Sequence, residues 1–373
     1  MSMKKILGGV GIFLFLMGAG CLSTPSPEQK EVSTPPIKIG WIGPLTGDGA
    51  SIGKGALKAA ELAVTDINQS GGIGGQKAEL IAEDGKCNAK DAVNSINKLI
   101  NIDQVSLIIG GACSSETSAI APIAEQNKKV LLSYCSSAPN ITTAGDYIFR
   151  IYPSDAYQAK FGAEYIYNIL QKKKVAVLTM SGDYGKGIQE TFIKTFQSLG
   201  GEIVFTEEYD STSRDLRTQI TKIKSLQPEL VYFVGYAEQT LPFLKQRKEL
   251  GLNIPLFGVD GWEDAKLFAD SLSENLSFTA ANTGTGDTAW KDEFAKNTGE
   301  FPVCAPFTYD SFMIVKDIIH KVGTDSDKIK DELYKLKDYK GKSGVISLDK
   351  NGDLTSANYD VKTIQQGKAE KVQ

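Results

Sequence analysis

The sequence predicts an α/β fold of two similar lobes, each a parallel sheet flanked by helices. Three observations predict it. Short runs rich in Val, Ile and Leu alternate with amphipathic helical stretches, and such repeated strand–helix units with short connections place their strands in parallel. The alternation comes in two successions, residues 38–133 and 157–262. The chain, at 373 residues, is too long for one small core and suits two.

The first succession opens with a strand at 38–43 and the loop Pro44-Leu-Thr-Gly-Asp-Gly. Residues 55–68 carry Ala56, Ala59, Ala60, Ala63, Val64 and Ile67 at helical spacing. The glycine-rich turn at 71–75 leaves a helix and enters a strand, the reverse of a dinucleotide-binding loop. A strand at 77–84 and a helix at 91–100 follow. Residues 105–109 read as a strand buried on both faces, which Gly110 and Gly111 break. A helix is expected from Thr117, with Ala119, Ile120, Ile123 and Ala124 inward and Pro122 within its first turns, where a missing N–H costs little.

Ser114 and Ser115 stand just before that helix. Free N–H groups and the positive dipole end make such a point suitable for an anion, although N-capping is the simpler role for serines. The fourth strand, 130–133, ends in Tyr134-Cys-Ser-Ser-Ala-Pro139. Ligands of parallel sheets bind beyond the carboxyl ends of the strands. The hydroxyls near Ser114 and at Ser136 and Ser137 therefore form one candidate wall of a site.

The second succession reads helix 157–170, strand 175–180, helix through 199, strand 202–209, helix 216–226, strand 230–235, helix 239–250 and strand 255–262. Tyr184, Tyr236 and Asp260 follow strand ends, as the serines do in the first. Two such lobes with facing strand ends would form a cleft. Beyond residue 282 the pattern is helices at 290–296 and 309–322, a helix through 336, a strand at 344–348 and an acidic turn at 349–353. That turn lacks the distal Glu of a calcium loop and reads as a hairpin turn.

Composition narrows the function. Hydrophobic content of 41% and charged content of 23% are ordinary for a globular chain. A net charge of −4 without a basic stripe argues against nucleic acid. The one histidine, His320, ends an amphipathic helix, so neither a metal centre nor His-based acid–base chemistry has its usual material. No metal, cofactor or catalytic group is expected, and the chain is not read as an enzyme.

At the amino end, Lys4 and Lys5 precede an apolar core at 6–17, too short to span a bilayer comfortably and suited to a signal peptide. Gly18-Ala-Gly-Cys21 is like a lipoprotein processing site, with Gly18 where Leu is usual. The expectation is a signal peptide at 1–21 with a lipobox-like site at Cys21 (the alternatives being ordinary cleavage or retention as an anchor), a Ser/Thr/Pro-rich linker at 22–36, and an exported protein tethered to the outer face of the cell membrane by lipid or an N-terminal anchor. Cys87, Cys113, Cys135 and Cys304 remain, an even count that favours disulfides after export but leaves three pairings open.

The chain resembles the leucine/isoleucine/valine-binding proteins of ABC importers. The resemblance rests on Ile39-Gly-Trp-Ile-Gly-Pro-Leu-Thr-Gly, Ala59-Ala-Glu-Leu-Ala-Val-Thr-Asp-Ile-Asn before Gly71-Gly-Ile-Gly-Gly, Asp84-Gly-Lys-Cys87, Gly111-Ala-Cys-Ser-Ser, Ser136-Ser-Ala-Pro, Asp183-Tyr-Gly-Lys-Gly and the stretch from Gly344 to Leu354. It implies a type I periplasmic-binding fold: two Rossmann-like lobes joined by a three-crossover hinge, near Ser154, Asn282 and Gly344. Lobe I would hold 37–154 plus 283–344, and lobe II 155–282 plus 345–373.

The resemblance also implies roles. Cys87 and Cys113 match a disulfide pair beside the site. Ser114 and Ser137, next to Ser136, match hydroxyls that bind a ligand α-carboxylate. Cys135 matches a position whose carbonyl accepts from the α-ammonium, and Asp260 an acid that pairs with it. Tyr184 and Tyr236 match cleft-facing tyrosines. Cys135 and Cys304 are then the candidate second bridge. Ile52, Trp262 and Cys304 depart from the family pattern around the ligand side chain. The implied function is a monomeric solute-binding subunit that delivers an apolar α-amino acid to a membrane permease. The alternatives are a sensory ligand-binding protein or a binder of a small amide on the same fold.

Overall fold

Two parallel sheets carry the protein, and both follow the same strand order. The computed structural model describes residue 9 and residues 34–282, 288–300, 303–355 and 358–372. Apart from residue 9, the expected signal peptide with Cys21 and residues 22–33 of the expected linker lie outside the described residues, as do 283–287 beside the expected second crossover.

The first sheet is built from β1 (Ile37–Gly43), α1 (Ala50–Gln69), β2 (Ala78–Asp84), α2 (Ala89–Lys98), β3 (Leu107–Ile109), α3 (Ser114–Gln126), β4 (Leu131–Ser133) and β5 (Ile148–Arg150). Its strands run parallel in the order β2-β1-β3-β4-β5. Alternate residues along each strand serve opposite faces. Ile39, Trp41, Ile109 and Leu132 pack with Ala56 and Ala60 of α1, whereas Ile42, Ile108 and Leu131 pack with Ile96 of α2 and Ile120 of α3. Each Ile or Leu among them, once buried, stabilises by about 1.5–3 kcal/mol. Hence the apolar runs needed no polar face.

The second sheet follows with α4 (Asp155–Glu164), β6 (Lys174–Met180), α5 (Asp183–Ser198), β7 (Glu202–Tyr209), α6 (Arg217–Leu226), β8 (Leu230–Val234), α7 (Ala237–Glu249), β9 (Leu256–Gly258), α8 (Ala265–Ala269) and β10 (Ser277–Asn282). Strands β7-β6-β8-β9-β10 repeat the order of the first sheet. Phe192, Phe196, Tyr232, Phe233, Phe257 and Phe278 give this core a more aromatic filling than the first.

The chain then returns. Helices α9 (Thr288–Thr298), α10 (Ala305–Val322) and α11 (Ser326–Leu333) precede a small hairpin of β11 (Tyr339–Gly341) and β12 (Gly344–Ile346). Phe312, Val315 and Ile319 of α10 complete the core on the α1 face of the first sheet, and the Tyr309 hydroxyl donates to Asp66 of α1 at 2.8 Å. Ile346, Leu348 and Leu354 join that same core, and Leu348 bridges Leu354 across the acidic turn. Residue 344 therefore lies well inside the first lobe, not at a crossover. The chain next meets the second sheet at β13 (Asn358–Gln365), which pairs antiparallel with β10, and ends in β14 (Lys368–Lys371) on its edge.

β10, β13 and β14 were not foreseen from periodicity. β13 and β14 mix Thr, Asn, Lys and Gln with few aliphatics, because an antiparallel edge needs to bury one face at most, whereas β10 is interior but contributes only the short buried run Phe278-Thr-Ala280.

Candidate ligand-binding site

The site begins where β3 stops. Gly110 and Gly111 allow the chain to pass within van der Waals limits of Ile42 and Glu116; a Cβ on Gly110 would lie 2.9 Å from the Ile42 carbonyl oxygen. Helix α3 starts three residues earlier than its apolar period suggests. Cys113 is the N-cap, and Glu116 at the third position reaches back to accept from the N–H groups of Ala112 at 3.0 Å and Cys113 at 3.1 Å, and from Cys87 at 3.0 Å. Burial pushes the Glu116 carboxyl up to about 7, while these backbone donors pull it down.

Ser114 is the first residue of α3 and is buried. Its oxygen accepts from the N–H groups of Ser137 at 3.3 Å and Ala138 at 3.1 Å. With both lone pairs engaged, its proton is the part left to offer, which suits an incoming acceptor. Ser137 lines the same cavity from the turn after β4. Ser136 does not. Its hydroxyl is turned into the turn itself, donating to Gly111 carbonyl at 3.1 Å and pairing with Thr117 Oγ1 at 2.7 Å, so it braces the wall rather than facing a ligand.

The second wall comes from the other sheet. Asp260 follows β9 and is buried. Its Oδ1 accepts from the Tyr184 hydroxyl at 2.6 Å and its Oδ2 from the Tyr152 hydroxyl at 3.0 Å. Burial raises the Asp260 pKa, and hydrogen bonds from Tyr184, Gln158 and Tyr152 oppose that rise. Tyr184 stacks on Tyr236, with ring centroids 5.3 Å apart and planes 7° apart. The Gly261 N–H donates back to the Tyr184 hydroxyl at 3.1 Å.

Between the walls lies a cavity of about 400 Å³, space open to solvent included. Ser114, Cys135, Ser137, Tyr184, Tyr236 and Asp260 all line it, and so do Ile52 and Cys304. Tyr152, Ala112, Gly261 and Val303 line it too and were not singled out from the sequence. Tyr152 was legible in principle, since it follows the strand β5 as the serines follow theirs. Cys87 and Cys113 are bonded with Cα atoms 5.2 Å apart, and Cys135 and Cys304 with Cα atoms 5.8 Å apart. The second bridge ties the turn after β4 to the N-cap of α10.

Donors at the strand ends of one sheet and an acid at a strand end of the other thus line one cavity. The family profile described as "Periplasmic binding protein" matches residues 36–369. The chain belongs to that family. A leucine-, isoleucine-, valine-, threonine- and alanine-binding protein of Pseudomonas aeruginosa is 29% identical over 333 residues, covering 87% of this chain and 89% of the relative. Among solved structures, a branched-chain amino acid transporter substrate-binding protein of Streptococcus pneumoniae, in complex with isoleucine, superposes with a TM-score of 0.82 at 28% identity, covering 90% of this chain and 99% of that one. A solute-binding protein of Rhodopseudomonas palustris in complex with benzoate shares the fold at a TM-score of 0.81 and 20% identity, covering 90% and 95%. This periplasmic binding protein thus has the two-lobed α/β architecture that the strand–helix alternation predicts.

Proposed function

We propose that the chain is the extracytoplasmic solute-binding subunit of an ABC importer and that it captures an apolar α-amino acid between its lobes. The observation that carries this reading is the pairing of the Ser114–Ser137 wall with Asp260 across one cavity. The helix N-terminus and the free Ser114 proton suit a carboxylate. Asp260 and the Cys135 carbonyl suit an ammonium. A charge-assisted hydrogen bond in such a cleft is worth roughly 1.5–3 kcal/mol, enough to reject a ligand lacking either charge. Ile52, Ala112, Val303 and the Cys135–Cys304 bridge present an apolar face, which suits a short aliphatic side chain. An aromatic acid without an amine would leave Asp260 buried and uncompensated, against a reading by analogy with the benzoate binder.

The remaining parts follow from the same reading. Lobe I comprises 37–154 with the return segment, extended to Leu354 because Ile346, Leu348 and Leu354 share its core. Lobe II comprises 155–282 with β13 and β14. Closure is supported by polar contacts between lobes: Asp48 accepts from Arg214 Nη2 at 2.5 Å and from Gln239 Nε2 at 2.9 Å, and Ser51 bonds Asp264. The closed form would report occupancy to a membrane permease. A signal peptide and lipid on Cys21 would keep the subunit at that membrane, as a monomer.

A thermal-shift screen against the twenty amino acids, small amides and benzoate tests the reading, with calorimetry on the responders. An apolar amino acid is expected to give the largest rise in Tm. A response to benzoate alone, or to none of these, overturns it.

A further inference from the structure

Behind the two walls lies a second carboxylate that the site as described does not use. Asp155 is the first residue of α4, directly after the crossover from the first sheet, and it is fully buried. Its N–H donates to the Ser137 carbonyl at 2.8 Å, which fastens it to the cavity wall. Neither of its carboxylate oxygens meets hydrogen-bond geometry with any described residue. A buried carboxylate in that condition is costly unless a cation or a proton compensates it.

No cation does so. Arg150 is committed elsewhere, donating to Asp353 Oδ1 at 3.0 Å and Oδ2 at 2.7 Å and to the Ala138 carbonyl at 2.9 Å. The charge that acts most strongly on Asp155 after burial itself is Asp260; Ser137 and Arg150 offset this only in part, and Asp155 stands well above the ordinary carboxylate range. Among the described residues, the other titratable groups that act most on the pair are tyrosines and Glu263, and Glu263 is itself paired with Lys362. Tyr184 of α5, Tyr232 of β8, Tyr236 before α7 and Tyr359 of β13 each feel both acids, and Tyr152 and Glu263 face Asp260. Two buried carboxylates in such company cannot both ionise.

We propose that Asp155 and Asp260 form a carboxylate pair that holds one proton in the empty cleft and exchanges it for the cationic group of the ligand. This rests on the reading above that the ligand carries an ammonium. As the ammonium seats against Asp260, its charge takes the place of the shared proton, which leaves to solvent, so the net charge of the pair and its partner is unchanged. Asp155 is thus a positioning group for charge: it makes the site selective for a full cation over a neutral donor. It also makes capture weaken in acid, because protons then compete with the ammonium. Affinity rises with pH until the empty pair ionises unaided, by up to about tenfold per unit.

Calorimetry with L-leucine and L-alanine between pH 5 and 8, in phosphate and in Tris, tests the exchange. The wild-type chain is expected to release close to one proton on binding and to gain affinity with pH. Asp155→Asn is expected to release almost none and to bind with little pH dependence. An equal proton count in the two chains overturns the pair. Should Asp155→Asn fail to fold, the wild-type count decides alone, and zero release overturns the pair. Two further probes separate this inference from the functional reading. Binding of 3-methylbutylamine with proton release, but of no amino acid, keeps the pair and removes the amino-acid reading. Binding of benzoate alone, or of no probe carrying an amine, removes both.

Discussion

The first sheet ends its central strands in small and hydroxylated residues: Gly110, Gly111 and Ser114 after β3, Ser136 and Ser137 after β4. The second ends them in Tyr184 after β6, Tyr236 after β8 and Asp260 after β9. The strand order is the same in both, and in both the site lies where that order reverses, at β1/β3 in one and β6/β8 in the other. Shared topology therefore decides where a ligand can lie. On the proposed reading, the few residues past each strand end decide which end of the ligand each lobe holds. The backbone approach is shared too. A Cβ on Gly53 of α1 would lie 1.7 Å from the Pro44 carbonyl oxygen, and one on Gly185 of α5 would lie 1.8 Å from that of Met180. Each helix is pressed onto the chain at the end of the first strand of its own succession.

The largest effect expected from breaking the comparison is at its acid. Asp260→Ala should weaken L-leucine binding about 100-fold, since it removes the charge-assisted contact and strands the hydroxyls of Tyr152 and Tyr184. Unchanged affinity by calorimetry would remove the ammonium role. Next come the glycines. Gly53→Ala and Gly185→Ala should each destabilise the fold by about 1–3 kcal/mol, read as a lower urea midpoint. If only one of them does so, the two lobes are not equivalent in their strand-to-helix packing. Ser114→Ala should weaken binding about 10-fold while leaving 3-methylbutylamine, which has no carboxylate, unaffected; equal losses for both probes would move Ser114 off the carboxylate side. The smallest effect is at the rim. Asp48→Ala removes the half-exposed ion pair with Arg214 and the contact with Gln239, and should cost about two- to fivefold in affinity, less at high salt. A salt-independent loss would mean that Asp48 acts on the cavity rather than on closure.

Much of this was open to reading from residues alone, and the limits have physical causes. The α1, α5 and α7 regions declare themselves because burying one helical face demands apolar residues three and four apart. The buried strands declare themselves because both faces are covered. Ser114, Tyr184, Tyr236 and Asp260 could be picked out because they stand just past apolar runs, where a parallel sheet puts its ligands. Ser136 looked the same as Ser137 in sequence, yet adjacent residues point opposite ways and only packing reveals which one faces inward. Asp155 carries no local signal, and Tyr152 only its place just past β5. Tyr152 meets Asp260 across 108 positions, and the solitude of the Asp155 carboxylate exists only once the crossover has buried it.

The order of the elements, the division into two successions and the chemistry at each strand end were written in local pattern, because helix and strand periods and turn residues act over a few positions. The convergence of Ser114, Ser137 and Asp260 on one cavity, the packing of Ile346, Leu348 and Leu354 into the core of the first sheet and the burial of Asp155 were decided by tertiary structure. These depend on contacts between segments far apart in the chain, and no short-range preference encodes which distant groups will share one dry cavity.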